Sequence, residues 1–161
     1  MAISNSEIIF RLLLASAVGL LFGLDRERAR KPAGVRTFLI VCLASCVLAI
    51  VSAYGFPSVA GEYDGINLVS DPARLMVGVL TGIGFIGAGI IWRSPRGDVS
   101  GVTTAAGILM QAALGICCGL GLYVLVAVAG PIDLIALVSE RLPWRKDKKE
   151  EKPERPPVRW E

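Results

Sequence analysis

The sequence predicts an all-α, polytopic membrane protein of about five short transmembrane helices, with its N-terminus outside the cytoplasm and its C-terminus inside. Hydropathy is the first observation behind this fold class. Hydrophobic residues make up 53% of the 161-residue chain, and its mean hydropathy is +0.60, which is too apolar for a soluble domain of this length. The second observation is that the basic residues lie almost entirely on one side of the predicted helices.

The first two predicted spans are residues 8–24 and 37–56, each close to the roughly 20 apolar residues that cross a bilayer. The first span is apolar apart from Arg11, and it ends at a charged run that begins with Asp25. Arg11 lies one helical turn after Glu7, so the two side chains can pair, or Arg11 can extend to the membrane interface. We interpret this segment as a retained helix, because its apolar stretch is too long for a cleaved signal.

The third predicted span is residues 73–92. It follows a segment, residues 55–72, whose glycine, proline and acidic residues are typical of a solvent-exposed loop. Asp71 and Pro72 form a favourable helix start, because an aspartate caps free amides and proline is tolerated in the first turn.

The fourth and fifth predicted spans share one uncharged run, residues 99–132. As a single helix this run would be about 51 Å long, whereas the hydrocarbon core of a bilayer is about 30 Å thick. The run must therefore turn back, and its glycines place the turn near residues 115–121. The resulting spans are residues 101–117 and 120–137.

The last part of the chain, residues 141–161, is rich in lysine, arginine, glutamate and proline. Such a composition cannot build a core, so we expect a disordered, charged cytoplasmic tail. The predicted domains are therefore a transmembrane domain, residues 1–140, and this tail.

The distribution of basic residues sets the predicted orientation. Of the 17 lysines and arginines, 15 lie in the first loop, the third loop and the tail. Only Arg11 and Arg74 fall on the other side. Since cytoplasmic loops are enriched in basic residues, the tail is predicted to be cytoplasmic.

Composition also argues against several function classes. The chain has four cysteines and no histidine, so it cannot form the zinc sites that use histidine, and we find no nucleophile motif or phosphate-binding loop typical of enzymes. Basic clusters beside long apolar runs indicate anionic lipid headgroups rather than nucleic acid.

Glycine is dense in the third span and recurs near the predicted turn. Small residues four positions apart let helix backbones approach closely in lipid. We therefore interpret these glycines as helix-packing positions: Gly78, Gly82, Gly84, Gly87, Gly89, Gly115 and Gly119. The alternative is an unwound stretch at residues 87–89 whose carbonyls contact a solute.

Polar residues at or within the spans are candidate functional positions. Asp25 and Glu27 form either a solvated charge cluster or, with nearby carbonyls, a site for Mg²⁺, which prefers oxygen ligands and keeps several bound waters. Thr103, Thr104 and Gln111 either bond neighbouring helices or line a permeation path.

Several stretches, taken together, resemble the MgtC/SapB family of bacterial inner-membrane proteins. They occur in the family's order between residues 7 and 123: RLLL at 11–14, GLDRE at 23–27, AGVRT at 33–37, DPAR at 71–74, GIGFIGAG at 82–89, VTTAA at 102–106 and GLGLY at 119–123. The chain departs from the family pattern at Leu109, where many members have tryptophan, and at Gly78, where glutamine is frequent. It also lacks the folded C-terminal domain of some members, so we expect a minimal membrane module.

The resemblance implies a multi-pass protein of the bacterial inner membrane linked to magnesium limitation, with the proton-driven ATP synthase as a possible membrane partner. It carries the family's charged signature onto Asp25, Glu27, Arg36, Asp71 and Arg74, and Thr37 completes the AGVRT stretch. We therefore expect a non-enzymatic protein that acts through helix contacts with a membrane partner or as a homo-oligomer. The alternative is an oligomeric transporter or channel for a cation or small solute.

The predicted orientation is tested by reporter fusions. A reporter that is active only in the cytoplasm should be active when it is joined after Glu161, because basic residues keep that side of the protein in the cytoplasm. The same reporter inserted into residues 55–72 is the control and should be inactive, since this loop is predicted to lie outside. An inactive C-terminal fusion together with an active loop fusion contradicts the five-span orientation.

Overall fold

The computed structural model describes residues 3–55, 72–95 and 97–139. Its five α-helices are α1 (Asn5–Arg28), α2 (Val35–Ile50), α3 (Pro72–Ile90), α4 (Val102–Leu120) and α5 (Tyr123–Val138). A π-helical turn, Val51–Gly55, extends α2, and a two-residue antiparallel strand pair, β1 (Trp92–Arg93) and β2 (Val99–Ser100), links α3 to α4. The predicted all-α class and helix number are confirmed. The predicted tail and most of the predicted loop at 55–72, Asp71 included, lie outside the described residues.

Three stretches are long and apolar enough to cross a membrane, judged by length and composition: Asn5–Arg28, Val35–Gly55 and Val102–Leu120. The two shorter apolar helices are Arg74–Ile90 and Tyr123–Val138. These helices make the chain a membrane protein. The side on which each end lies remains a prediction.

Helix α1 is longer at both ends than its apolar stretch. The Ser4 hydroxyl accepts a hydrogen bond from the Glu7 amide at 3.3 Å and so caps the first turn. At the other end the helix continues through Arg28, because arginine and glutamate interrupt an apolar run without disfavouring the helix. The predicted span 8–24 is therefore the apolar middle of α1.

The predicted turn between the fourth and fifth spans is present, and it lies at Gly121. This residue has φ +74°, a left-handed conformation that glycine adopts without steric cost. The Leu122 amide donates to the Cys117 carbonyl at 2.9 Å, which closes the end of α4. Helix α4 consequently runs three residues beyond its predicted end, and α5 returns antiparallel beside it.

Two pairs of glycines bring α1, α2 and α4 into close contact. A Cβ atom on Gly115 would lie 2.2 Å from the Cys42 carbonyl oxygen, and one on Gly119 would lie 2.5 Å from the Cys46 carbonyl oxygen. Gly19 and Gly23 of α1 approach the α2 backbone in the same way, near Leu39 and Val35. Helix α2 thus packs against both α1 and α4 at distances that only glycine permits.

The glycines of α3 behave differently. A Cβ atom on Gly87 would lie 3.4 Å from Ala105 of α4, an ordinary contact. The other four glycines of this helix have open space around them within 4 Å: Gly78, Gly82, Gly84 and Gly89. Gly78, Gly82 and Gly89 lie on one face of α3 and Gly84 lies on another. We call the first of these the bare glycine face, because a Cβ atom on its glycines would contact no described residue.

The glycine contact between α2 and α4 predicts a sharp difference between two substitutions. Gly115→Ala should lower the free energy of unfolding by about 1–3 kcal/mol, since a methyl group cannot fit beside the Cys42 carbonyl. Gly82→Ala should leave it nearly unchanged. Unfolding of the purified protein in mixed detergent micelles measures both, and equal stability of the two variants contradicts this packing.

Candidate functional site

Two buried arginines of α1 organise the two ends of the helix bundle. Arg11 is 7% exposed and Arg26 is 0% exposed. They are 15 residues apart, or about 22 Å along the helix, so they lie near opposite ends of α1. A buried guanidinium is costly unless it is hydrogen-bonded, and each of these arginines makes at least three hydrogen bonds.

Arg11 joins four segments at the N-terminal end of α1. Its Nη1 donates to the Gly119 carbonyl at 2.7 Å and to the Tyr54 hydroxyl at 3.1 Å, and its Nε donates to Glu7 Oε1 at 2.9 Å. The Tyr123 hydroxyl donates to the same Glu7 oxygen. The Glu7–Arg11 pair expected as one possibility is present, and it extends into a network that includes the ends of α4 and α5.

Arg26 plays the equivalent role at the other end of α1. Its Nε and Nη2 donate to Asp25 Oδ2 at 3.1 and 2.7 Å, and Nη2 also donates to the Leu137 carbonyl at 2.7 Å. Leu137 is in the last turn of α5. Arg11 therefore caps the C-terminal end of α4, and Arg26 caps the C-terminal end of α5.

These contacts are electrostatically favourable for a simple reason. The last carbonyls of a helix have no intrahelical partner and carry the negative end of the helix dipole. A guanidinium satisfies such a carbonyl and also brings a positive charge to it. Helix α1 thereby satisfies carbonyls at the ends of two other helices.

The predicted Mg²⁺ ligands Asp25 and Glu27 already have other partners. Asp25 accepts two bonds from Arg26, and Glu27 Oε2 accepts the Val35 amide at 3.1 Å, which caps the start of α2. Within the described residues, no group of three or more acidic, cysteine or histidine side chains is arranged to hold a metal. This geometry favours the charge cluster over the Mg²⁺ site, because both carboxylates are already engaged in bonds within the protein.

The other residues of the charged signature do not form one described cluster. Arg36 and Arg74 are exposed on α2 and α3, and Thr37 is partly buried in the first turn of α2. Asp71 lies outside the described residues. The structure consequently gives no shared interior site for Arg36 and Arg74.

Polar side chains of α4 are buried deeply. Thr104 is 2% exposed and Gln111 is 0% exposed, and they lie two turns apart on the same helix face. Both amide atoms of Gln111 lack a hydrogen-bond partner among the described residues. Burying an amide without hydrogen-bond partners costs free energy. We therefore expect this side chain to bind water, a solute or a partner group.

Sequence reasoning missed Asp133. It lies in α5, one oxygen has no partner in the described part of the chain, and it is within electrostatic range of Arg26. Gly107 of α4 lies beside Leu137 of α5, since a Cβ atom on Gly107 would be 3.5 Å from Leu137 Cδ2. The two helices are antiparallel, so four residues further along α4 correspond to four residues back along α5. Gln111 and Asp133 therefore lie at about the same level of the bundle. The available signal was an acidic residue within an apolar span.

The fold and these contacts define the class of protein: a small helical membrane protein in which buried arginines cap neighbouring helices. The model of the MgtC family matches residues 12–142 of this chain. The chain therefore belongs to the MgtC family, as the motif resemblance implied.

Relatives are found in several bacteria. The chain is 38% identical to "Protein SapB" of Bacillus subtilis (strain 168), 39% identical to "Putative magnesium transporter YhiD" of Escherichia coli (strain K12) and 33% identical to "Protein MgtC" of Salmonella typhimurium (strain LT2). These alignments cover 87%, 83% and 71% of this chain, but only 58%, 60% and 44% of the respective relatives. No solved structure matches the chain.

The capping role of Arg26 predicts a large and specific loss of stability. Arg26→Met should cost about 3–5 kcal/mol of the free energy of unfolding, because Asp25 and the Leu137 carbonyl lose a buried partner. Arg26→Lys should cost less, since it keeps the charge. Arg28→Met, at an exposed position two residues on, is the matched control and should change stability little; a loss equal to that of Arg26→Met argues against capping.

Proposed function

We propose that this chain is a multi-pass protein of the bacterial inner membrane that supports growth when Mg²⁺ is limiting, and that it acts through helix contacts rather than catalysis. Membership of the MgtC family and the name of the Escherichia coli relative, "Putative magnesium transporter YhiD", support the link to magnesium. The chain spans only about half of the length of these relatives. The proposed activity is therefore that of the membrane module.

The observation that carries this proposal is the bare glycine face of α3. In lipid, helices associate through small residues that allow close backbone approach. Gly115 and Gly119 use this property inside the chain, whereas Gly78 and Gly82 face open space. An apolar groove of about 330 Å³ between α2 and α3 lies beside Gly78 and Gly82. This face suits a helix of another molecule.

The occupant of this face is either a second copy of the chain or a different membrane protein. The family resemblance makes the proton-driven ATP synthase one candidate. In either case α3 would supply the contact and the α1, α2 and α4 core would hold it in place. No cofactor is required for such a role.

The alternative is an oligomeric transporter or channel for a cation or small solute. The specific observation in its favour is the level shared by Gln111 and Asp133, with three buried polar atoms that lack partners among the described residues. Such atoms line solute or water pathways in membrane proteins. One copy encloses little space, so this function also needs assembly of several copies.

A complementation experiment tests the contact function. A strain that lacks the protein should grow poorly at limiting Mg²⁺ or show an altered membrane potential, and the natural protein should correct this. Gly82→Leu should fail to correct it while remaining folded and in the membrane, because it blocks only the α3 face. Val128→Leu, at an exposed site on α5, is the control and should restore growth.

Flux measurements separate the two functions. If the protein transports a solute, liposomes containing it should show ion flux that Gln111→Leu and Asp133→Asn reduce. Absence of flux under several ions and gradients contradicts transport. Normal growth and membrane potential in the deletion strain contradict the contact function.

A further inference from the structure

A polar cavity of about 380 Å³ lies at the end of the bundle where α4 begins. The segment after α1 contributes Lys31, the strand pair contributes Trp92 and Ser100, and the first turn of α4 contributes Thr103 and Thr104. This end holds the first and third loops, which carry most of the basic residues outside the tail.

The described residues that line the cavity supply hydrogen-bond donors and no carboxylate. They include Lys31 with its ammonium, Trp92 with its indole N–H and three residues with hydroxyls, and none of the described lining residues is aspartate or glutamate. Such a lining is complementary to an anion with several acceptor oxygens.

The N-terminus of α4 adds more donors. Its N-cap is Gly101, which has φ +91° and provides no side-chain cap. A Cβ atom there would lie 2.2 Å from the Ile90 carbonyl oxygen, so a capping serine or aspartate cannot replace the glycine without moving α3. The amides of the first turn of this 19-residue helix are therefore left for a ligand, at the positive end of the helix dipole.

Thr104 is an independent indication of a ligand. Its side chain is 2% exposed, yet it lines the cavity and makes no hydrogen bond to the described residues, although many helical threonines bond the carbonyl one turn before. Thr81 of α3 does so, donating to the Val77 carbonyl at 2.8 Å. The Thr104 hydroxyl is instead available to a group inside the cavity.

We propose that this cavity binds the phosphate group of an anionic phospholipid. A phosphate accepts bonds from helix amides, hydroxyls and an ammonium together. The rim explains why the phosphate comes from a lipid: Trp92, Val99 and Val102 are each more than half exposed, so apolar side chains and an indole stand beside the charged cavity, as acyl chains and headgroups require. The inference is independent of the proposed function, since it requires neither a magnesium role nor a partner protein.

Trp92 provides a probe inside the proposed site. With Trp144→Phe and Trp160→Phe, it is the only tryptophan of the full chain. This protein is reconstituted in bilayers that contain a small fraction of brominated phosphatidylglycerol or brominated phosphatidylcholine. Bromine quenches indole fluorescence at short range, so selective binding should produce saturating quenching by the anionic lipid at fractions where the neutral lipid has little effect.

Variants identify the residues responsible. Lys31→Gln should weaken the preference for phosphatidylglycerol about tenfold, as expected for loss of a hydrogen bond to a charged group inside the site, and Thr104→Val should weaken it while keeping the side-chain shape. Thr81→Val and Arg28→Gln are controls for loss of a hydroxyl and of an exposed charge, and they should retain the preference. Unchanged thermal unfolding of each variant shows that it is folded.

Three outcomes overturn the inference. Equal quenching by the two brominated lipids removes the selectivity, and an undiminished preference in both Lys31→Gln and Thr104→Val moves the site elsewhere. If inorganic phosphate at millimolar concentration abolishes the lipid preference while chloride at equal ionic strength does not, the ligand is free phosphate rather than a lipid headgroup.

Discussion

The capping of two helix ends by buried arginines of α1 is the interaction on which the rest of the bundle depends. Arg11 holds the end of α4 and Arg26 holds the end of α5. In a membrane, a carbonyl that has no hydrogen bond cannot turn to water, so a helix that ends near the hydrocarbon needs a partner of this kind. The same two contacts orient α1, because each guanidinium must reach a specific carbonyl. Helix register and helix ends are thereby determined together.

Close packing through glycine joins α1, α2 and α4, and this contact differs from the way α3 is held. Glycines bring α1, α2 and α4 together until their backbones touch, and this contact leaves no room for lipid or solvent. Helix α3 joins this core on one side through Gly87 and leaves its other glycines bare. The protein thus combines a rigid core with one helix whose outer face is built for contact but has no partner within the described chain.

The two ends of the bundle differ in chemistry. The end with Arg11 is closed by a network in which Arg11 donates to Glu7, Tyr54 and the Gly119 carbonyl, and Tyr123 donates to Glu7. The end with Arg26 adds the start of α4, which has no side-chain cap, and a cavity rich in donors. Deeper along the same helix lies Gln111, whose amide has no partner among the described residues. Ligand chemistry is therefore expected at this end, where the predicted orientation also places the cytoplasm. The acidic residues there mostly serve structure, as Asp25 and Glu27 show.

The sequence by itself determined the fold class, the number of helices and a turn within residues 115–121, because bilayer thickness limits how long an apolar run can be and charge interrupts it. It also identified Thr104 and Gln111 as unusual, since polar groups are rare within apolar spans. Only the tertiary structure distinguished the packed glycines of α4 from the bare ones of α3, because equal spacing does not show which face meets a neighbour. It also showed that Asp25 pairs with Arg26 and that Asp133 lies level with Gln111. Those relations join residues far apart in the chain, and hydropathy and motif spacing describe only residues that are near one another.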